Sequence, residues 1–344
     1  MSGDRRRFLL EILGLLVVVG LIIVYGVRRS GGPHRIEDTR LLMGTVVTVT
    51  AFTDDEKAGR DAISAAFDEM ARVDRLTSRY DPASALVWLN GDAQRAGGAP
   101  VDPELLRVIA RTLEIARASG GAFDPTVGPL MDVWPLTAGM SLPGPDAVAA
   151  AVARVGYVRV VADTAKGTIT LPADSEIDLS AIAKGYAVGR AIAVLKRPGI
   201  DAAIVDAGGD IGLLGTPPHD GSWRIGVKHP RSDGVLGVLT VDGGSVATSG
   251  DYQRYVMIAG KRYHHILDPS TGYPAGGVVS VTITSANAAD ADALATAVFV
   301  MGAERGMKLV EALPGVEAVI VTGGEDLGQI LVSSGLKESF VESR

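Results

Sequence analysis

Tyr255-Val-Met-Ile-Ala-Gly-Lys-Arg-Tyr-His-His-Ile-Leu-Asp-Pro-Ser-Thr-Gly-Tyr-Pro274 decides how this chain folds. Residues 255–258 and 263–267 carry the aromatic and β-branched side chains of strands, and Ala259-Gly260 between them suits a tight hairpin loop. Strands joined by so short a loop are antiparallel neighbours. The same texture, short β-rich runs between turn signals, recurs at residues 158–162, 168–171, 202–205, 223–227, 235–241, 278–284, 318–322 and 329–332. Hairpin spacing therefore dominates the second half. The spacing predicts an α+β fold with mostly antiparallel sheets and packed helices, and disfavours a doubly wound parallel sheet.

Upstream, residues 42–51 alternate like a strand, and residues 55–73 read as a helix with Ile63, Phe67, Met70 and Val73 on its core face. Asp102-Pro103 supplies an N-cap and a first-turn proline for a helix that ends at Gly120-Gly121. Residues 145–155, 289–301 and 304–313 complete the expected helices.

The chain has 344 residues, 47% of them hydrophobic, 43 glycines and a net charge of −7. No Lys/Arg block lies beyond the N-terminus, which excludes a nucleic-acid partner. Cysteine is absent, so disulfides, thiolate metal sites, a cysteine nucleophile and a lipid-modified N-terminal cysteine are excluded. Residues 8–27 are apolar apart from Glu11, a length that spans a bilayer as a helix. Arg5, Arg6 and Arg7 precede this segment, and Arg28 and Arg29 follow it. The positive-inside rule then sets residues 1–7 in the cytoplasm. No small-residue cleavage site stands out, which favours a retained anchor over a removed signal peptide. Asp4-Arg-Arg-Arg-Phe-Leu-Leu10 also resembles a twin-arginine export signal, although the arginines serve equally as the charged flank of a membrane helix. The expected organisation is a single-pass anchor in the inner (cytoplasmic) membrane, a linker at 28–38, an extracytoplasmic domain at 39–335 and a tail at 336–344.

Several groups could carry chemistry. Asp292 and Thr296 lie four residues apart, so their oxygens share a helix face. Carboxylate and hydroxyl are hard ligands suited to Mg²⁺, which takes its remaining ligands from phosphate and water; alone the signal is weak, since such a pair on an alanine-rich helix is more often a solvated aspartate and a packed threonine. In Asp178-Leu-Ser-Ala-Ile-Ala-Lys-Gly-Tyr186, Asp178 or Ser180 can cap a helix, with Lys184 about a turn inside and able to reach a phosphate. Asp206-Ala-Gly-Gly-Asp210 allows close backbone approach at a strand end, but lacks the Gly-x-Gly-x-x-Gly form of a dinucleotide fold. Phe123, in Gly120-Gly-Ala-Phe-Asp-Pro-Thr126, can stack on a flat ring or plug a helix end. Met43-Gly44-Thr45 and Ser78-Arg-Tyr-Asp-Pro82 also set turn residues beside one apolar or aromatic group. His264 and His265 are adjacent on the expected strand and point to opposite faces, too few on one side for a histidine zinc site.

In this order, these segments resemble the FAD:protein FMN transferase (ApbE) family. The matching pieces are Met43-Gly-Thr45, Ser78-x-Tyr80, Gly121-Ala-Phe-Asp-Pro125, Asp178-Leu-Ser-Ala-Ile-Ala-Lys-Gly185, Gly208-Gly-Asp210, Thr248-Ser-Gly-Asp-Tyr252, His265-Ile-Leu-Asp-Pro269 and Asp292-Ala-Leu-Ala-Thr296. The resemblance implies an ApbE-like (T-fold-like) domain that binds FAD with Mg²⁺ and cleaves its diphosphate. FMN is then joined by a phosphoester to a Thr/Ser hydroxyl of an acceptor protein of the membrane redox subunit type, with release of AMP. Carried over, Met43, Tyr80, Ala122, Phe123, Asp124, Asp178, Lys184 and Ile266 are the flavin contacts. The Ala181 carbonyl, Asp292 and Thr296 hold the metal; Ala295 stands where some members carry another carboxylate. His265 has the intrinsic pKa of a general base, Asp268 could orient it or act in its place, and Lys184 would neutralise phosphoryl charge. The alternatives are a Mg²⁺-dependent FAD pyrophosphatase yielding FMN and AMP, or a membrane-tethered flavin-binding protein.

Overall fold

Val47, Val49 and Ala51, spaced by two on the strand Thr45–Thr53, are fully buried, the pattern of a strand with one face on a core. That strand pairs with His34–Leu42 on one side and Ala202–Ala207 on the other. The sheet continues through Asp210–Gly215, Gly244–Gly250, Val278–Ser285, Glu317–Gly323 and Leu327–Val332. These eight strands lie in chain order, and every neighbouring pair is antiparallel. The computed structural model describes residues 33–343 except 92–97, 138, 198, 219–220 and 325. The expected antiparallel α+β architecture is the one observed.

Helices cover one face of the sheet. Glu56–Thr77 starts at Asp55, whose side chain accepts from the amides of Lys57 and Ala58. Its Ile63, Phe67, Met70 and Val73 meet Val47, Val205, Ala187 and Val188 in one core cluster. Ser180–Leu195 lies alongside, and Ala288–Met301 packs between it and the strands Gly244–Gly250 and Val278–Ser285. Ala288–Met301 is buried almost all round, so a carboxylate at Asp292, 4% exposed, must find partners inside the protein. The opposite face of the sheet packs on a three-stranded sheet of Trp223–Lys228, Val235–Val241 and Phe340–Glu342 through Leu213, Trp223, Leu239, Val246 and Val279.

The observed boundaries differ from expectation in informative places. The first strand begins at His34, inside the stretch read as a linker, because all nine of its residues find partners on Thr45–Thr53. Phe340–Glu342 pairs with Val235–Val241, so the fold extends past residue 335. Residues 158–162 do not form one strand; a 3₁₀ turn at Tyr157–Arg159 precedes Val161–Asp163, and Val158 is left 76% exposed. The Tyr255–Ile258 hairpin closes through Ala259 and Gly260, both at positive φ, but its second strand is Lys261–His264. His265 therefore lies just beyond the ladder. Among the described residues no helix is long and apolar enough to cross a membrane; the segment 8–27 and the arginines around it lie outside the described residues.

Candidate active site

A cleft of about 700 Å³ opens where the helix layer meets the surrounding loops. Every residue predicted for the site lines it except Asp268: Met43, Tyr80, Ala122, Phe123, Asp124, Asp178, Ala181, Lys184, His265, Ile266, Asp292 and Thr296. Met43 and Gly44, at φ 53° and 71°, form the two-residue tip of the first hairpin and turn the methionine into the cleft. Tyr80, 70% exposed, supplies aromatic surface at this end, whereas Phe123, 4% exposed, touches the cleft from within the main core cluster, as a plug after the helix would.

Two buried aspartates hold these loops in place. Asp124 Oδ1 accepts from the Thr126 amide at 2.8 Å and its hydroxyl at 2.6 Å, and Oδ2 accepts from the Tyr157 amide at 2.9 Å. Burial pushes the Asp124 carboxyl up against these bonds. Asp178 Oδ1 accepts from the Ser180 amide at 2.7 Å and from its hydroxyl, ordering the start of the helix, while Oδ2 receives Arg79 Nη1 at 3.2 Å. Sequence alone gives Arg79 no role. Its side chain, 7% exposed, also meets Glu176 at 2.9 Å and Asp132 at 2.8 Å, and so ties the loop carrying Tyr80 to the segment before the helix. Its only signal in the sequence is its place between Ser78 and Tyr80.

The polar end is built on the contact between Ser180–Leu195 and Ala288–Met301. A side chain at Gly185 would collide with the Ala288 carbonyl and with the Asp292 side chain, so glycine allows the two helices to touch. Gly185 N–H, which an undisturbed helix would offer to the Ala181 carbonyl, donates to Asp292 Oδ2 at 2.9 Å. Lys184 Nζ stands 3.0 Å from Asp210 Oδ2 and 3.8 Å from Asp292 Oδ1. Burial opposes its charge, but Asp210 and Asp292 outweigh burial and raise its pKa. Asp210 is itself pushed up by burial and by the charge of Asp292, against the pull of Lys184. Thr296 Oγ1 lies 3.1 Å from Ser249 Oγ, a partner that the sequence does not announce. Among the described residues no three His, Cys, Asp or Glu side chains gather as a metal cluster. The available donors are one carboxylate, one hydroxyl and the Ala181 carbonyl, hard oxygens of the kind Mg²⁺ takes when phosphate and water complete its shell.

The two histidines divide their work. His264, 5% exposed, accepts from the Ile266 amide at Nδ1, which leaves Nε2–H to donate to the Ala275 carbonyl at 3.0 Å. Its ring meets Phe299 edge-on at 5.5 Å, so it serves the core. His265 lines the cleft, and its Nδ1 lies 3.2 Å from the Arg254 carbonyl, a contact that needs the proton on Nδ1 and leaves Nε2 bare. Burial first, then Lys184, lowers its pKa to about 4, so the ring is neutral near pH 7. Asp268 is differently employed: Oδ1 accepts from the Ser270 amide at 2.8 Å and hydroxyl at 2.7 Å, shaping the turn after the hairpin. Trp134 secures the same turn by donating to the Gly272 carbonyl at 2.8 Å and stacking on Tyr263 at 5.7 Å.

Fold and cleft together define an antiparallel α+β enzyme with a cleft that joins an aromatic end to an ammonium and a hard-oxygen cluster. The ApbE family model matches residues 43–320, and the chain belongs to that family. It is an enzyme, a transferase. It is 35% identical over 333 residues to a FAD:protein FMN transferase from Treponema pallidum (strain Nichols), covering 90% of each chain. An ApbE protein from Thermotoga maritima superposes with a TM-score of 0.80 at 36% identity, over 89% of this chain and 99% of that one. The flavin transferase ApbE from Vibrio cholerae gives 0.77 at 29% identity, with the same coverage.

Proposed function

We propose that the chain is a Mg²⁺-dependent FAD:protein FMN transferase that cleaves the FAD diphosphate, joins FMN to a threonine or serine hydroxyl of an acceptor protein and releases AMP. The observation that carries this reading is the presence in one cleft of the Tyr80 and Phe123 surface, the Lys184, Asp292 and Thr296 cluster, and His265. The isoalloxazine would lie against the aromatic end, with the phosphates toward Lys184. Asp292, Thr296 and the Ala181 carbonyl would hold Mg²⁺, which when bound neutralises charge on the phosphoryl oxygens. Lys184 adds a second positive charge at the same end.

His265 Nε2 is free to take the proton of the acceptor hydroxyl, because Nδ1 is held by the Arg254 carbonyl. The hydroxyl oxygen forms the new bond to the phosphorus of the FMN half. The bond from that phosphorus to the bridging oxygen breaks, and AMP departs with the electron pair. The arginine-flanked segment 8–27 supports a single-pass anchor in the cytoplasmic membrane with the catalytic domain outside, beside an acceptor of the membrane redox subunit type. The test is incubation of the purified protein with FAD, Mg²⁺ and a candidate acceptor subunit. A fluorescent acceptor band that survives denaturing electrophoresis is expected; free FMN and AMP with no labelled band would overturn the transfer reading in favour of hydrolysis.

A further inference from the structure

Asp210 does not line the cleft, yet it governs a residue that does. It is the first residue of the strand Asp210–Gly215 and is 4% exposed. Gly208 and Gly209, at φ 68° and 102°, turn the chain just before it, and Asp206 Oδ1 fixes that turn by accepting from the Gly209 amide at 2.8 Å. The turn brings Asp210 under the helix layer, where it meets Lys184. The ammonium has two carboxylates to choose from. It sits within hydrogen-bonding distance of Asp210, at 3.0 Å, and beyond it from Asp292, at 3.8 Å.

That asymmetry has a chemical consequence. With one Asp292 oxygen taken by the Gly185 amide, Oδ1 is the oxygen left for a cation. An ammonium paired directly with Oδ1 would cancel the charge that draws a metal there. We infer that Asp210 is a positioning residue: it draws the Lys184 ammonium away from Asp292, so that the Asp292 carboxylate stays available to a divalent cation while Lys184 keeps its charge in the cleft. Lys184 retains 32% of its side chain exposed, consistent with a group tethered at the edge of the cleft.

This inference rests on the proposed metal site, and its test separates the two. Mn²⁺ binding by the full-length protein is measured without FAD, from the electron paramagnetic resonance signal of free Mn²⁺. Asp210→Asn should weaken Mn²⁺ binding roughly tenfold or more, the effect of one added cation contact at a partly solvated site. Lys184→Met should bind Mn²⁺ at least as tightly as wild type. The double variant, Asp210→Asn with Lys184→Met, should bind it clearly tighter than Asp210→Asn alone, because no ammonium remains to compete. A merely structural role for Asp210 would not be rescued by removing Lys184. Wild-type affinity in Asp210→Asn, no recovery in the double variant, or weaker binding in Lys184→Met overturns the inference while leaving the metal site standing. Absence of Mn²⁺ binding by the wild type overturns the metal site and the inference with it. Should Asp210→Asn fail to fold, Asp210→Ser takes its place in the single and the double variant, and the same outcomes decide.

Discussion

Gly185 N–H donates to Asp292 Oδ2 at 2.9 Å, across the contact between the helices Ser180–Leu195 and Ala288–Met301. An aspartate on a nearly all-apolar helix thus reaches into the first turns of its neighbour, and it can do so because residue 185 has no side chain. Gly185→Ala places a methyl against the Ala288 carbonyl and 2.6 Å from Asp292 Cβ. The helices must separate, at a cost of roughly 1–3 kcal/mol in stability. Denaturant unfolding should show that loss, together with weaker Mn²⁺ binding; an unchanged midpoint and unchanged binding would contradict the packing described.

The adjacent histidines should separate stability from turnover. His265→Ala is expected to lower flavin transfer roughly a hundredfold or more while leaving FAD binding largely intact, since it removes the proton acceptor alone. His264→Ala should instead cost roughly 2–3 kcal/mol in stability, because it deletes a buried ring and its bond to the Ala275 carbonyl. Single-turnover rates and chemical unfolding of both variants check the division.

The depressed pKa of His265 has a definite sign in the pH profile. Below its pKa of about 4 the ring is protonated and cannot accept; above it the base form predominates. The acid limb of kcat/KM, which reports the free enzyme, should therefore lie well below the 6.5 of an ordinary imidazole. Lys184→Met removes one cause of the depression and should move that limb upward. A limb that stays put in this variant would disconnect Lys184 from the base.

Arg79 is the buried clasp between the Tyr80 loop and Asp178. Arg79→Met leaves the Asp178 carboxylate, 2% exposed, without its cationic partner and should destabilise the protein by roughly 3 kcal/mol. FAD affinity should also fall as the loop loosens. Equilibrium unfolding and flavin fluorescence titration read the two effects.

The legible parts of this protein were those written locally. The four-residue spacing of Asp292 and Thr296, the Asp102-Pro103 helix start and the Ala259-Gly260 hairpin depend on neighbours in sequence, and all stand in the structure as expected. What stayed hidden depends on partners far along the chain. Lys184 and Asp210 meet only through a glycine turn, and Ser249 reaches Thr296 from a strand, Gly244–Gly250, too poor in large β-formers to be visible. The first strand was obscured for the opposite reason: Arg35, Glu37, Asp38 and Arg40 give it the charge of a linker, the composition that protects an edge strand from unwanted pairing. Asp268 has the chemistry of a catalytic group, but it does not line the cleft and its Oδ1 is engaged within the turn.

The most direct measurement is FAD affinity with and without Mg²⁺, followed by flavin fluorescence, in the wild type and in Asp292→Ala. Mg²⁺ should tighten FAD binding by roughly five- to a hundredfold in the wild type, the ordinary scale of coupling between two ligands at adjoining sites. Asp292→Ala should abolish that gain. Equal FAD affinity with and without Mg²⁺ in the wild type would contradict the account.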